Sequence, residues 1–320
     1  MTSAGGAVGK SLAKAFGNKY AVAVEFITMP GGAGATRIIN EQKAGLFVSD
    51  LYMGGNTSIL VSLKPAGALA ALEPQLLLPE LTDPQIISKT WWNGALRWLD
   101  KDRTNLGFVV AAPPPVVINT DLVTYEEVKS WNNLLEPKWK GKIILHDPTR
   151  PGFGGKLAPV LGEIMGWDYV KQLARQVDIS ANSRLIVEWT SRGKYPIALA
   201  PQTAIVTQFQ RAGAPLKAFI PVEGIHITSS SGSMALLRNA PHPNATKIFI
   251  NWLLTKEGQT VFSQAFGQPS ARLDVSTEGM LPESIPQPGM KYVIGDSEEF
   301  ILQQPQQFEK TKEVFTPLVK

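Results

Sequence analysis

Apolar residues recur at helical spacing from the start of the chain: Val8, Leu12, Ala15 and Phe16 fall at i, i+4, i+7 and i+8, with Lys10, Ser11 and Lys14 between them. That spacing lines one face of a helix, and Thr2 and Ser3 stand where N-capping residues belong. The period then drops to two. Val22, Val24 and Phe26 alternate with Ala23, Glu25 and Ile27, which predicts a strand over 21–29. Pro30-Gly31-Gly32-Ala33-Gly34 opens a second helix through Ile38, Ile39 and Gln42, residues 46–53 form a second strand, and Gly54-Gly55-Asn56-Thr57-Ser58 starts a third helix. Helix, strand, helix, strand, helix is the alternation of an open α/β sheet with parallel strands.

Further on, 92–99 and 107–119 read as strands, and Pro113-Pro114-Pro115 interrupts the second. A triple proline has no place in a central strand and suits an extended crossing between lobes. Thr124-Tyr125-Glu126-Glu127 is a capping box opening a helix to about Leu135. A short strand at 143–145 leads into 146–155 and a helix to about Met165; helices follow over 168–177 and 183–190. A strand over 195–200 runs into Pro201-Gln202-Thr203 and a helix to Ala212. After 219–221, the serine run 229–233 and a strand over 234–237 suggest a crossing back. Asn244 is placed to cap an amphipathic helix carrying Ala245, Ile248, Phe249, Trp252 and Leu253 on one face. The tail is Pro-rich, with a last helix over 296–315 that Pro305 interrupts, and no repeat recurs at 20–50 residues. The expected organisation is one lobe from 1–110 plus 232–275, a second from 115–225, and a segment 276–320 packing on the second lobe or across the hinge.

Composition narrows the function. With 320 residues, 44% hydrophobic and 18% charged, the chain is globular and long enough for two cores. A formal charge of +4, with Lys and Arg scattered, gives no nucleic-acid footprint and suits a small anionic ligand. Zero cysteines exclude disulfides, thiolate metal sites and cysteine nucleophiles. No apolar run reaches the length of a membrane span. His146, His226 and His242 lack a metal-binding spacing, Asp147 and Glu223 read as caps or surface charges, and no Ser-His-Asp order or nucleophile elbow occurs. No catalytic residue, metal site or cofactor is therefore expected. Of the eight tryptophans most belong to the core, leaving Trp98, with Phe153, as candidate cleft-lining aromatics.

Residues 4–11, Ala-Gly-Gly-Ala-Val-Gly-Lys-Ser, fit a loose nucleotide-loop pattern, but no strand precedes them to deliver a phosphate-wrapping loop. The simpler reading is a small-residue turn into a helix. Such turns recur at Ser3-Ala4-Gly5-Gly6, Gly54-Gly55-Asn56-Thr57, 151–155 and Pro201-Gln202-Thr203. Free N–H groups at helix starts favour anions, and ligands of open α/β sheets gather at the carboxyl ends of strands.

Several stretches together resemble the extracellular solute-binding proteins of ABC transporters, in the ferric-iron, thiamine and polyamine branch of the type II periplasmic binding proteins. They are Thr2-Ser3-Ala4-Gly5-Gly6, Ser49-Asp50-Leu51-Tyr52-Met53-Gly54-Gly55, and Leu134-Leu135-Glu136-Pro137-Lys138-Trp139-Lys140-Gly141-Lys142-Ile143. To these add Gly193-Lys194-Tyr195-Pro196-Ile197-Ala198 and 240–259. The resemblance implies two α/β lobes that close about a hinge on a solute, and delivery to a membrane permease by a monomeric, periplasmic or membrane-anchored protein. By position it points to Ser3, Ala4, Gly5, Asn56 and Thr57 from one lobe and to Arg150, Gly152 and Gln202 from the other as ligand residues. Arg150 is suited to a carboxylate, phosphonate or phosphate. Iron-binding members commonly use an adjacent tyrosine pair, and no Tyr-Tyr occurs here, which disfavours ferric iron. The alternatives are a ferric-iron or other cation receptor of the same fold and an enzyme resembling the thiamine-precursor synthases. The family also has a leader and a hydrophobic strand ahead of T-S-x-G-G, so the chain as given is expected to lack that first strand.

Overall fold

The computed structural model describes residues 1–150, 152–287 and 289–319. Among them the strands are β1 (Leu51–Gly54), β2 (Arg97–Trp98), β3 (Asn105–Gly107), β4 (Val116–Asn119), β5 (Ile143–His146), β6 (Val177–Ser180), β7 (Ile197–Leu199), β8 (Leu216–Phe219), β9 (Ile225–Ile227), β10 (Ser233–Leu236) and β11 (Tyr292–Ile294). The chain divides into two compact units: 1–111, 228–280 and 296–302 form the first, and 112–227, 281–295 and 303–320 the second.

In the first unit the sheet order is β1-β10-β3-β2, and every ladder is antiparallel. This corrects the expectation of a parallel sheet here. Among the described residues of this unit, parallel pairing is confined to single bridges from Thr2 to Thr28 on one side and Met53 on the other. Residues 21–29 keep their alternation, with Val22, Val24 and Phe26 half-buried and Ala23 and Glu25 exposed, yet they form no ladder because Thr2 is their one bridge partner among the described residues. The strand expected over 46–53 appears as β1, whose ladder to β10 spans 51–54. The helix Gly6–Tyr20 buries Val8, Leu12 and Phe16 as its period requires. Phe16 meets Phe249 and Trp252 with ring centroids 5.1 and 5.3 Å away. Each such side chain contributes about 1.5–3 kcal/mol by leaving water. The helix carrying that aromatic pair is Pro243–Leu253, and its N-cap is His242 rather than Asn244. Pro243 takes the first helical position, where its fixed φ fits and its missing N–H costs nothing.

The second unit holds a five-stranded sheet in the order β6-β5-β7-β4-β8. Here β5 runs parallel to both β6 and β7, and β4 pairs antiparallel with β7 and β8. A separate parallel pair joins β9 to β11. The capping box at Thr124 forms, but its helix stops at Val128 because Ser130 caps again and starts a 3-10 turn, Trp131–Leu135. Three other expectations shift. A tight turn with left-handed Asn93 and Gly94 reduces the strand over 92–99 to β2. The half-exposed β6 replaces the end of the helix expected over 168–177. The final helix, Glu298–Phe315, runs unbroken through Pro305. No helix among the described residues is long and apolar enough to cross a membrane.

Candidate functional site

In the first unit three helical segments begin together. The chain passes from Thr2 into Gly6–Tyr20, from Thr28 through Pro30 into Gly31–Lys43, and from β1 through Gly55 into a turn at Asn56 that continues as the π-helical Ser58–Leu63. Because Thr2 bridges both Thr28 and Met53 in parallel, these starts lie at the same end of three adjacent extended segments. Neither Gly5 nor Pro30 caps its helix with a side chain. Gly5, at φ 98°, occupies backbone space that glycine enters without steric cost. Ser3 sits at the centre. Its Oγ accepts the Gly55 N–H at 3.2 Å and lies 3.5 Å from Ser231 Oγ. Tyr52 donates its hydroxyl to the Gly31 carbonyl at 3.3 Å, and burial pushes its phenol above the usual range, so it stays protonated. The result is a cluster of neutral donors around uncapped helix starts, suited to an anion.

The second unit repeats the arrangement on different strands. Helices Phe153–Ile164, Ser183–Ser191 and Thr203–Arg211 start beyond the carboxyl ends of β5, β6 and β7 respectively. Since β6, β5 and β7 are parallel neighbours, the three starts share one edge of the sheet. Asn182 caps the middle helix through Leu185 N, while Gly152 and Gln202 leave theirs without a side-chain cap. The loop after β5 is stiffened by Asp147, a buried carboxylate that accepts from Thr149 N at 2.9 Å and Thr149 Oγ1 at 2.7 Å. Arg150 Nε pairs with the other Asp147 oxygen at 3.1 Å, while the Arg150 side chain remains 71% exposed. Gly154 N donates to His146 Nδ1 at 3.3 Å. Burial pushes the His146 pKa down, which keeps that nitrogen an acceptor. Gly154 has no room for a side chain: a Cβ there would lie 2.1 Å from the His146 carbonyl oxygen. Ala200, at the end of β7, holds a left-handed φ of 52°, a strained conformation for a non-glycine residue and of the kind that gathers at functional sites.

The residues proposed from sequence thus fall into two groups, with Ser3, Ala4, Gly5, Asn56 and Thr57 in the first unit and Arg150, Gly152, Phe153 and Gln202 in the second. Ala4 is buried, with its N–H on Thr2 Oγ1 at 3.0 Å. Thr57 and Gln202 are exposed. Asn56 is buried, and both ends of its amide are used: it accepts from Asn105 and donates to the Asp296 carbonyl. Trp98 lies apart on the edge strand β2, three ladders from β1, roughly 14 Å at ordinary strand spacing. Residues 6–11 are helical, with Gly9 N on Gly5 O, so they do not form a phosphate-wrapping loop and Lys10 is an exposed helix residue. Sequence reasoning missed Tyr52, Ser231 and Asp296. The serine run gave a signal for Ser231, since three adjacent hydroxyls exceed what a turn requires, whereas nothing local marks Asp296.

A family model described as a bacterial extracellular solute-binding protein matches residues 11–287. An uncharacterised protein of Haemophilus influenzae is 26% identical over 260 residues, which is 77% of this chain and 69% of that protein. The periplasmic binding protein AfuA from Actinobacillus pleuropneumoniae, with exogenous fructose-6-phosphate bound, matches with a TM-score of 0.62 at 21% identity, over 98% of this chain and 97% of that one. The Trichodesmium protein IdiA (FutA), in complex with iron and citrate ligands, matches with a TM-score of 0.74 at 19% identity, again over 98% and 97%. These likenesses establish the type II periplasmic binding protein fold.

Proposed function

The chain belongs to the bacterial extracellular solute-binding protein family, and on that premise we propose that it is the substrate-binding component of an ABC importer, carrying a small anionic solute to the membrane permease. It works outside the cytoplasmic membrane, free or held at the membrane surface, and its role is binding rather than turnover. The observation that carries the anionic reading is the grouping of helix starts: around Ser3 in the first unit and beyond β5, β6 and β7 in the second. Backbone N–H groups and hydroxyls hold an oxyanion without the desolvation cost of burying a cation beside it. In the second unit Arg150 supplies formal charge. Its pairing with Asp147 uses Nε, which leaves the two Nη groups for a fork against two oxygens of a phosphate or carboxylate. The first-unit donors are Ser3, the backbone at Gly5, and Thr57, with Ala4 holding the turn through its own bond to Thr2; Gly152, Phe153 and Gln202 accompany Arg150. Asn56 acts indirectly, through the loop it fixes.

Thermal unfolding with fructose 6-phosphate, inorganic phosphate, citrate, ferric citrate and unphosphorylated fructose tests this. A ligand at about 100 times its Kd adds roughly 2.7 kcal/mol, or several degrees. An anion is expected to give that shift and fructose none, with Arg150→Ala and Ser3→Ala each reducing it. A shift with a neutral or cationic solute but with no anion refutes the anionic reading.

A further inference from the structure

Two loops meet at Ser3: 54–57, which presents Gly55 N to the Ser3 hydroxyl, and 229–232, which presents Ser231 Oγ. Neither is anchored by Ser3 alone. Asp296, only 2% exposed, accepts from Ser229 N through Oδ2 and from Arg97 Nη2 through Oδ1 at 2.8 Å, while its main-chain carbonyl accepts from Asn56 Nδ2. One residue therefore holds both loops, one through its carboxylate and the other through its backbone. Arg97 is buried as well and is fixed by a 2.6 Å bond from Nη1 to the Val109 carbonyl, with Trp92 under its guanidinium at 5.8 Å. Two residues on, Glu298 donates its N–H to the Leu99 carbonyl and accepts Lys64 Nζ at 2.7 Å and Lys101 N at 3.2 Å. Lys64 follows the π-helical turn that grows from Asn56 and also grips Asp100 and Asp102 at 2.8 Å. The segment 56–64 is thus stapled to 296–298 at both ends.

We infer that Asp296 is the positioning residue for the first-unit half of the anion site, setting the spacing of the 54–57 and 229–232 loops on either side of Ser3, with Arg97 neutralising its charge. The inference rests on the reading that these loops hold the solute. Two observations favour positioning over mere cohesion. A buried ion pair is weak support for stability, since the desolvation of both ions offsets their attraction. The same network also leaves Asn105 Oδ1 and Ser229 Oγ buried without partners among the described residues, which a network serving stability alone would avoid. The Arg97 charge has a direct role too, because an uncompensated carboxylate behind the loops would repel an anion in front of them.

The test compares two charge-neutral double variants. Arg97→Met with Asp296→Ala removes the acceptor for Ser229 N, whereas Arg97→Met with Asp296→Asn keeps an uncharged one. Hydrogen exchange should rise at least about tenfold at 229–232 in the alanine pair, and fructose 6-phosphate and inorganic phosphate should bind about tenfold more weakly, with both effects largely reversed in the asparagine pair. Equal exchange and equal affinity in the two pairs overturn the inference. Should wild type bind neither probe nor citrate, the functional reading fails, and the exchange comparison still decides the role of Asp296. Should the alanine pair not fold, Asn56→Ala cuts one link alone. Faster exchange at 54–57 with 229–232 unchanged then supports separate anchoring, and no change at 54–57 refutes it.

Discussion

Lowering the pH tests the interior of the second unit through His226. Its ring is nine-tenths buried on β9, opposite Val293 of β11, and Nδ1 has no hydrogen-bond partner among the described residues. Gly295 packs so closely that a Cβ there would lie 2.8 Å from the imidazole Cδ2. Burial, reinforced by the charge of Lys156, pushes the His226 pKa from 6.5 down to about 3. The unfolded chain accepts that proton near pH 6.5. Between these values the unfolded state holds one proton more than the folded state, so stability rises with pH by about 1.4 kcal/mol per unit. The contribution is complete above 6.5 and is lost as the pH falls towards 3. The window from about pH 5 to 6 isolates it best, because carboxylates titrate mainly below that range. Arg272 holds Asp274 below its usual value and Lys19 does the same for Glu257, which moves their contributions further into acid. His146, pushed down by burial, adds slope of the same sign, so the measurement is a difference. Urea unfolding of wild type and His226→Leu at several pH values, followed by tryptophan fluorescence, should show the wild-type slope exceeding the variant's by about 1.4 kcal/mol per unit. Equal slopes would refute a buried, neutral His226.

Other interior contacts give simpler tests. Tyr169→Phe removes the 2.6 Å hydrogen bond to the buried Trp131 carbonyl and should cost about 0.5–1.5 kcal/mol in urea unfolding, the usual net worth of one such bond. Phe315 is 1% exposed and lines a small cavity together with Leu145, Leu157, Leu161, Val170 and Leu173; Phe315→Ala should cost about 3–5 kcal/mol, and a loss under about 1 would mean the surrounding residues collapse into the vacated space. Gly154→Ala drives a methyl against the His146 and Asp147 carbonyl oxygens, at 2.1 and 2.6 Å before relaxation, so a loss of about 1–3 kcal/mol is expected, with weaker anion binding if the β5 loop is displaced.

The parts of the fold that read directly from sequence are those fixed by local physics. The 3.6-residue stripe of Val8, Leu12 and Phe16 gave the first helix, and the capping box at Thr124 formed as expected. The α/β class followed from the alternation of elements, and its type II form from the resemblance. Strand extent did not. Whether an alternating segment such as 21–29 becomes a ladder depends on a neighbour distant in sequence, and here one bridge at Thr28 is all that Thr2 supplies. The second cap at Ser130 is equally local and was legible in principle, but Trp131, Leu134 and Leu135 at i, i+3 and i+4 continue the helical period past it.

The candidate site shows the same division more sharply. Helix starts announce themselves through small residues, so Ser3, Gly5, Gly152 and Gln202 were accessible to reasoning from turns. Asp296 was not, because its partners Asn56, Arg97 and Ser229 lie 240, 199 and 67 positions away. No period or spacing encodes a contact of that range. A loop presenting neutral donors must be held still by groups behind it, and the chain can draw those groups from any segment that returns to the same place. The residues that touch a solute are therefore the more legible half of such a site, and those that fix their spacing emerge only once the chain is folded.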